Sequence, residues 1–437
     1  MRIVSDGFQR RAAAMLIGAT FALIVAGAAW ERARRRPGEA GGMATASLVR
    51  ADGARLDDDA VVARVPPRGA DPAALDADRL RAQIRKSPRD RDAAVRLARI
   101  DLQAARDRSD PRFLGRAEAA LAPWWSDAGA PPEVVLLRAT IRQARHEFDA
   151  ALADLDRLLS AGGSAREGAK PPSVSLLAQA LVTRAVILGV KARYTEALAT
   201  CARLDGLASP FVRAACRAPL LGLTGHAADA AAALAGVLGQ AAGPSEAAWG
   251  RVLLAELARA AGDERGAETL LRSVLALAPS DGAARAALCD LLLDDGRAGE
   301  VAPLVRGRED DDGLLLRLAL AEATPGEGSG TPSSGAAARV AARFAASRER
   351  GDTVHRREES RFALHVERDP ARALRLAVAN WEVQREPADA RVLLEAALAA
   401  RTPVSARPAL DWLDTTGIAE PRLRALAAAL RAARGAS

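Results

Sequence analysis

Along most of the chain, apolar residues recur at the three- and four-residue intervals that place them on one face of an α-helix. The pattern is clearest at 248–281, AWGRVLLAELARAAGDERGAETLLRSVLALAPSD, where two apolar stripes flank Gly262-Asp263. A glycine can end one helix and an aspartate can cap the next, so this stretch predicts a helical hairpin. The same layout of apolar, small and turn positions fits from starts near 91, 132, 178, 211, 248 and 282. The steps are 41, 46, 33, 37 and 34 residues, and the longer ones absorb loop-like text at 106–112 and 161–173. Beyond it, helices are predicted over 336–350, 353–366, 370–381, 388–400 and 406–413, with a final one at 421–434 capping the open end.

A different pattern opens the chain. Ala12 to Trp30 are nineteen uncharged, mostly apolar residues behind Arg2, Arg10 and Arg11. As a helix they would span about 28 Å, close to a hydrocarbon core of ~30 Å. They read as an export signal or a membrane anchor. Ala26-Gly27-Ala28 offers a cleavage site, whereas Arg32, Arg34, Arg35 and Arg36 just after it resist translocation. The domain order predicted is a signal or anchor at 1–30, a Pro/Gly-rich linker at 31–72, a helical array at 73–322, a low-complexity linker at 323–335 and further helical repeats with a cap at 336–437. One hairpin cannot bury its apolar face alone, so the recurrence predicts an all-α solenoid.

At 248–281 the positions that carry the repeat are Leu254 before small Ala255, Gly262 at the turn, then Ala267, Leu271, Val274 and Pro279. Arg-Ala pairs recur in first helices at Arg138-Ala139, Arg184-Ala185 and Arg217-Ala218, and alanines in second helices at Ala117, Ala151, Ala197, Ala230 and Ala267. In these residues the chain resembles a tetratricopeptide repeat (TPR) protein, most closely over 178–306. As a whole it resembles the exported TPR proteins of high-GC proteobacteria. The resemblance implies a right-handed α-solenoid that binds protein.

The resemblance also implies a groove, lined from the first helix of each hairpin. Its candidate protein-binding residues are Thr140, Gln143, Gln179, Val182, Val186, Trp249, Val252, Glu256 and Arg259. Such a groove is largely apolar, suits an extended or helical peptide, and lacks the Lys and Asn pattern of chaperone-binding TPR domains. On helical periodicity, Trp249 and Arg259 are expected to face this groove, and Leu254 and Ala255 the second helix. The competing expectation is that the chain's own carboxy-terminal half covers these positions. A second candidate anchor is the polar run DTVHRREESRF at 352–362, with His355, Arg357 and Glu358; alternatively it is a solvated helix face laced by pairs such as His355 with Glu359.

Composition narrows the chemistry. The 437 residues carry a net charge of +7, but residues 1–36 hold +5 of it, so no basic domain remains to bind nucleic acid. The three cysteines, Cys201, Cys216 and Cys289, are odd in number and lack a C-x-x-C, which predicts packing residues and no disulfide framework. His146-Glu147 starts like a zinc-binding H-E-x-x-H, but Ala150 stands where the second histidine should be. The glycines of 323–335 lack a following G-K-[ST], and no serine sits in a G-x-S-x-G elbow. No cofactor, metal or catalytic residue is therefore expected. The function expected is a non-enzymatic scaffold for protein–protein interaction, periplasmic or anchored in the inner membrane through 12–30 if that segment is uncleaved. The alternative is an accessory or assembly subunit of a membrane or envelope enzyme complex, with an enzyme or RNA-binding repeat further behind.

Overall fold

A computed structural model describes residues 72–108, 110–161, 171–324 and 335–435. The apolar segment 12–30, the spacer to residue 71 and residues 325–334 of the expected linker lie outside them. Twenty α-helices and no strand are found among the described residues. They are α1 (Pro72–Lys86), α2 (Arg91–Arg108), α3 (Arg112–Ala120), α4 (Pro132–Ala144), α5 (Phe148–Ala161), α6 (Val174–Val190) and α7 (Tyr194–Ala202). Next come α8 (Pro210–Leu223), α9 (Ala227–Val237), α10 (Pro244–Ala260), α11 (Glu264–Leu277), α12 (Gly282–Asp294), α13 (Val301–Val305) and α14 (Asp312–Ala323). The last are α15 (Ala336–Glu349), α16 (Arg356–His365), α17 (Pro370–Trp381), α18 (Pro387–Ala399), α19 (Arg407–Thr416) and α20 (Pro421–Gly435). None of them is long and apolar enough to cross a membrane.

The helices pair as hairpins, α4 with α5, α6 with α7, α8 with α9 and α10 with α11, and first helices of successive hairpins also touch. The fold is an all-α solenoid. Its register is written in the backbone of the turns. His146, Ala192, Gly225, Gly262 and Gly296 all have positive φ, and they are spaced 46, 33, 37 and 34 residues apart, the steps predicted from the sequence. At each turn the amide after this residue bonds back to a carbonyl near the end of the first helix: Glu147 to Arg142, Arg193 to Leu188, His226 to Leu221, Asp263 to Ala258 and Arg297 to Leu292, at 2.8–2.9 Å. This closure satisfies carbonyls that the helix end would leave unpaired, and it needs a left-handed residue. Glycine supplies that conformation without strain at three of the five turns.

Small side chains let the paired helices approach. Ala139, Ala185, Ala218, Ala255 and Cys289 occupy equivalent positions in successive first helices and are all buried, as are Ala117, Ala151, Ala197, Ala230 and Ala267 in the second helices. Arg138, part of an Arg-Ala pair, is fully buried. It reaches both carboxylate oxygens of Asp154 at 2.9 and 2.7 Å and the carbonyls of Trp124 and Trp125 at 3.0 and 2.8 Å, so its charge is matched. Arg184 takes a related course to Asp156 at 2.7 Å.

The cysteines correct one expectation. Cys201, near the end of α7, and Cys216, on α8, are joined as a disulfide with Cα atoms 5.8 Å apart. Spacing counts could not show this pair, because it forms between antiparallel helices across a short connection, 15 residues apart in sequence. Cys289 is buried, as expected of a packing residue.

Beyond α15 the chain forms a C-terminal unit, α16 to α20, with its own buried cluster running from Ala363 to Leu430. This unit returns to the earlier hairpins along the row of turns. The Arg385 amide donates to the Val190 carbonyl at 2.8 Å, and Trp412 Nε1 donates to Tyr194 Oη at 2.9 Å. A methyl group added at Gly225 would lie 3.4 Å from the Gly417 carbonyl oxygen, and one at Gly262 would lie 3.2 Å from Pro421.

Candidate interaction face

The structure does not present the expected groove as an open apolar channel. Val182, Val186, Trp249 and Val252 are buried among neighbouring helices. Trp249 meets Phe211 of the preceding hairpin edge to face, with ring centroids 5.6 Å apart. Leu254, half-buried, lines a surface cleft together with Leu270 of the second helix, the side it was expected to face, and Ala255 is buried as expected. The stripe of Trp249 is thus corrected: apolar positions early in the first helix are covered by the adjacent first helix, which periodicity within one hairpin cannot reveal. Thr140 and Gln143 are also buried, with the Thr140 hydroxyl donating to the Leu136 carbonyl at 2.9 Å. Gln179 is buried and donates to the Ser175 hydroxyl at 3.2 Å.

Later positions on the same helices remain in contact with water and are charged. Glu256 is exposed, and Arg259, half-buried, bonds Asp294 at 2.9 Å. On α12 the carboxylates of Asp290 and Asp294 gather arginines from several directions. Asp290 takes Arg317 of α14 at 2.5 Å and Arg361 of α16 at 3.0 Å. Asp294 takes Arg259 at 2.9 Å and Arg391 of α18 at 2.8 Å, and its backbone carbonyl accepts from Arg422 of α20 at 2.5 Å. Arg361, Arg391 and Arg422 all belong to the C-terminal unit. The C-terminal unit thus lies against this charged end of the first helices, whereas Trp249, one of the apolar positions it was expected to cover, is covered by the neighbouring first helix. Asp290 and Asp294 were not singled out from the sequence, although Asp290 falls in the sixth repeat at the place Glu256 holds in the fifth.

The polar run at 352–362 lies inside this arrangement. Arg357 bonds Glu358 at 3.2 Å, Glu386 at 3.1 Å and Asp389 at 3.3 Å. His355 is half-buried at the start of α16. The expected solvated face is corrected. Glu359, Ser360 and Phe362 are buried, and Glu359 pairs with Arg348 and Arg372 from the flanking helices rather than with His355. A helix pressed between α14, α17 and α18 has little open face to offer.

Charge neighbours set the ionisation of these groups. Burial would raise the Glu358 carboxyl, but the Arg357 guanidinium outweighs it and holds the pKa at about 2. Glu395 is likewise lowered to about 2, since His365 and Arg391 more than offset its burial. Glu256 goes the other way. Protein packed around it and the Glu386 carboxylate raise its pKa to about 7, with Arg259 opposing. Its exposure works against that loss of water, and the net direction is upward. His146, at a hairpin turn, is depressed to about 4 by burial and by the charge of Arg357.

A separate open cleft of about 380 Å³ lies between α9, α10 and α11. It is lined by alanines of α9 with Leu254, Leu257 and Leu270, and contains little that could orient a polar substrate. Among the described residues no cluster of His, Cys, Asp and Glu has a metal-holding arrangement.

No protein-family model matches the chain, and no curated protein matches it in sequence. Among solved structures it is similar to a chain of the "APC/C hetero-tetramer Cut9-Hcn1", at 11% identity over 83% of this chain and 90% of that one, with a TM-score of 0.28. It is also similar to the "P58(IPK) TPR Domain", at 14% identity over 82% of this chain and 93% of that one, with a TM-score of 0.22. Scores this low carry no argument. The solenoid stands on its own hairpins and turn register.

Proposed function

We propose that the protein is a non-enzymatic helical-repeat scaffold that binds another protein at the bacterial envelope through the concave face of its first helices. The observation that carries this is the five-fold repetition of one hairpin turn at matched spacing, which stacks first helices side by side into an extended face. Such a surface engages a length of partner chain rather than a small molecule. Because the apolar positions are buried, the part of this face left for a partner is charged, with exposed Glu256 its water-facing residue and Arg259 beside it held by Asp294.

The envelope location draws on two features. The apolar stretch 12–30 suits export or anchoring, and the Cys201–Cys216 bond suits an oxidising compartment. Both are tested together by expressing the full chain with a photoreactive residue at Glu256 and, as a control, at exposed Leu277, then fractionating the irradiated cells. A discrete protein adduct from the Glu256 position in the membrane or periplasmic fraction supports the reading. Full-length protein confined to the cytosol contradicts the location, and absence of any protein adduct at Glu256 contradicts the binding face.

A further inference from the structure

Neighbouring hairpins are bridged where they meet, and one of these seams is left open. Between the His146 and Ala192 hairpins, Asp149 pairs with Lys191 at 2.6 Å and Asp156 with Arg184 at 2.7 Å. The next seam, to the Gly225 hairpin, carries the Cys201–Cys216 disulfide. Between the Gly262 and Gly296 hairpins, Glu268 pairs with Arg297 at 2.7 Å. The seam between the Gly225 and Gly262 hairpins differs. Counted from the turn residues, the places of Asp149 and Lys191 fall to Ala228 and Ala261, those of Asp156 and Arg184 to Ala235 and Leu254, and those of Glu268 and Arg297 to Ala231 and Asp263. No such pair of positions holds two charges here, and all six residues line the open cleft of about 380 Å³. Alanine is the strongest helix former, so α9 keeps its helix without charged neighbours while its methyl groups leave the space beside α10 and α11 unfilled. The one charge on the lining is Asp263, which is exposed, accepts the Gly266 amide and pairs with no cation among the described residues. Asp229, next to Ala228 on α9, is exposed too.

We propose that this open seam is a second docking surface, which takes an amphipathic helix of a partner protein that lays leucine-sized side chains into the cleft and presents arginine or lysine to Asp263 and Asp229. Covering an apolar cleft that faces water supplies the attraction, and the two carboxylates select the partner by the sign of its charge. A helix laid into a groove between helices is a common way to meet both demands. The seam is separate from the Glu256 position, and its occupation does not rest on the first-helix face binding anything.

Three labelled helical peptides are titrated with the full chain and followed by fluorescence anisotropy: one with a leucine stripe flanked by arginines, one with glutamates for the arginines, and one with serines for the leucines. The variant Ala228→Asp with Ala261→Lys rebuilds at two exposed positions the pair that Asp149 makes with Lys191, and so bridges the seam without touching a buried residue. The leucine and arginine peptide is expected to bind about tenfold more tightly than either of the others, and to lose about tenfold in the variant, whose helical circular dichroism stays that of the parent. Equal binding of the three peptides, equal binding to parent and variant, or no binding overturns the proposal. A photoreactive residue at Ala232, which also lines the cleft, gives an independent reading. It is expected to cross-link the same peptide; a covalent dimer, or an internal cross-link to residues 1–71, in place of that adduct gives the cleft to another occupant and overturns the proposal as well.

Discussion

Trp412 donates its indole N–H to the hydroxyl of Tyr194 at 2.9 Å, linking residues 218 positions apart in sequence. Tyr194 opens the second helix of an early hairpin, and Trp412 lies on α19 of the C-terminal unit, stacked edge to face on Trp381 at 5.6 Å. Burial around the phenol pushes its pKa up to about 12, so it remains a neutral hydroxyl at physiological pH and keeps accepting this bond. Tyr194→Phe keeps the ring and removes the acceptor, leaving a buried indole N–H unpaired. The expected cost is about 1–2 kcal/mol in urea unfolding followed by tryptophan fluorescence. A variant as stable as the parent would show that the bond contributes nothing to closure.

The turns make a paired prediction about backbone strain. Gly262 has φ of +82° and Ala192 has φ of +58°, at equivalent places in two hairpins. A left-handed conformation costs a non-glycine residue roughly 1–2 kcal/mol. Gly262→Ala should therefore lower the melting temperature, with crowding against Pro421 adding to the effect. Ala192→Gly should raise it, or at least leave it unchanged where lost contact offsets relieved strain. Opposite ordering of the two variants in thermal denaturation would contradict the shared turn geometry.

The disulfide closes a separation of 15 residues. For a loop of that size the chain-entropy model gives about 3 kcal/mol. Cys201→Ser with Cys216→Ser is expected to lose stability on that order, and peptide mapping of the parent without reductant should recover the linked pair. Free thiols at both positions in protein taken from its native compartment would contradict the pairing and weaken the envelope reading with it.

Most of the helical layout could be read from the sequence, because it rests on local rules. Gly262 and Asp263 end and start helices by their own chemistry, and Asp263 caps α11 by accepting from the Gly266 amide at 2.9 Å. The recurrence of buried alanines such as Ala151 and Ala267 follows from helix contact within one hairpin. Trp249 was misplaced for the opposite reason. Its environment is set by Phe211, which belongs to another hairpin, and a periodic stripe reads the same whether a neighbouring helix or solvent covers it. The partners of Asp290 and Asp294 come from α10, α14, α16, α18 and α20, so no spacing within the acidic segment could announce them.

Glu256 gives a pH prediction whose sign is fixed by its neighbours. Its pKa rises from an ordinary 4.5 to about 7, chiefly because protein packed around the carboxylate displaces part of its water although the side chain is exposed, and then through Glu386. Between these values the folded protein holds a proton that the unfolded chain has released, so this site's contribution is full below pH 4.5 and is lost as pH rises through 7. Glu256→Gln should therefore raise the melting temperature at pH 8 relative to the parent and change it little at pH 4.5. A larger gain at pH 4.5 than at pH 8 would reverse the assignment.

The central claim is that a helical-repeat array is closed on itself by its own C-terminal unit, and the approach of Gly225 to Gly417 tests it most directly. A side chain built at position 417 would lie 3.8 Å from the Gly225 Cα, within the reach of a disulfide. The full chain carrying Gly225→Cys and Gly417→Cys is expected to form an internal cross-link between these positions under mild oxidation, identified by mass spectrometry of a monomer that keeps its helical circular dichroism. A helical monomer in which both introduced thiols stay free would contradict the closed arrangement.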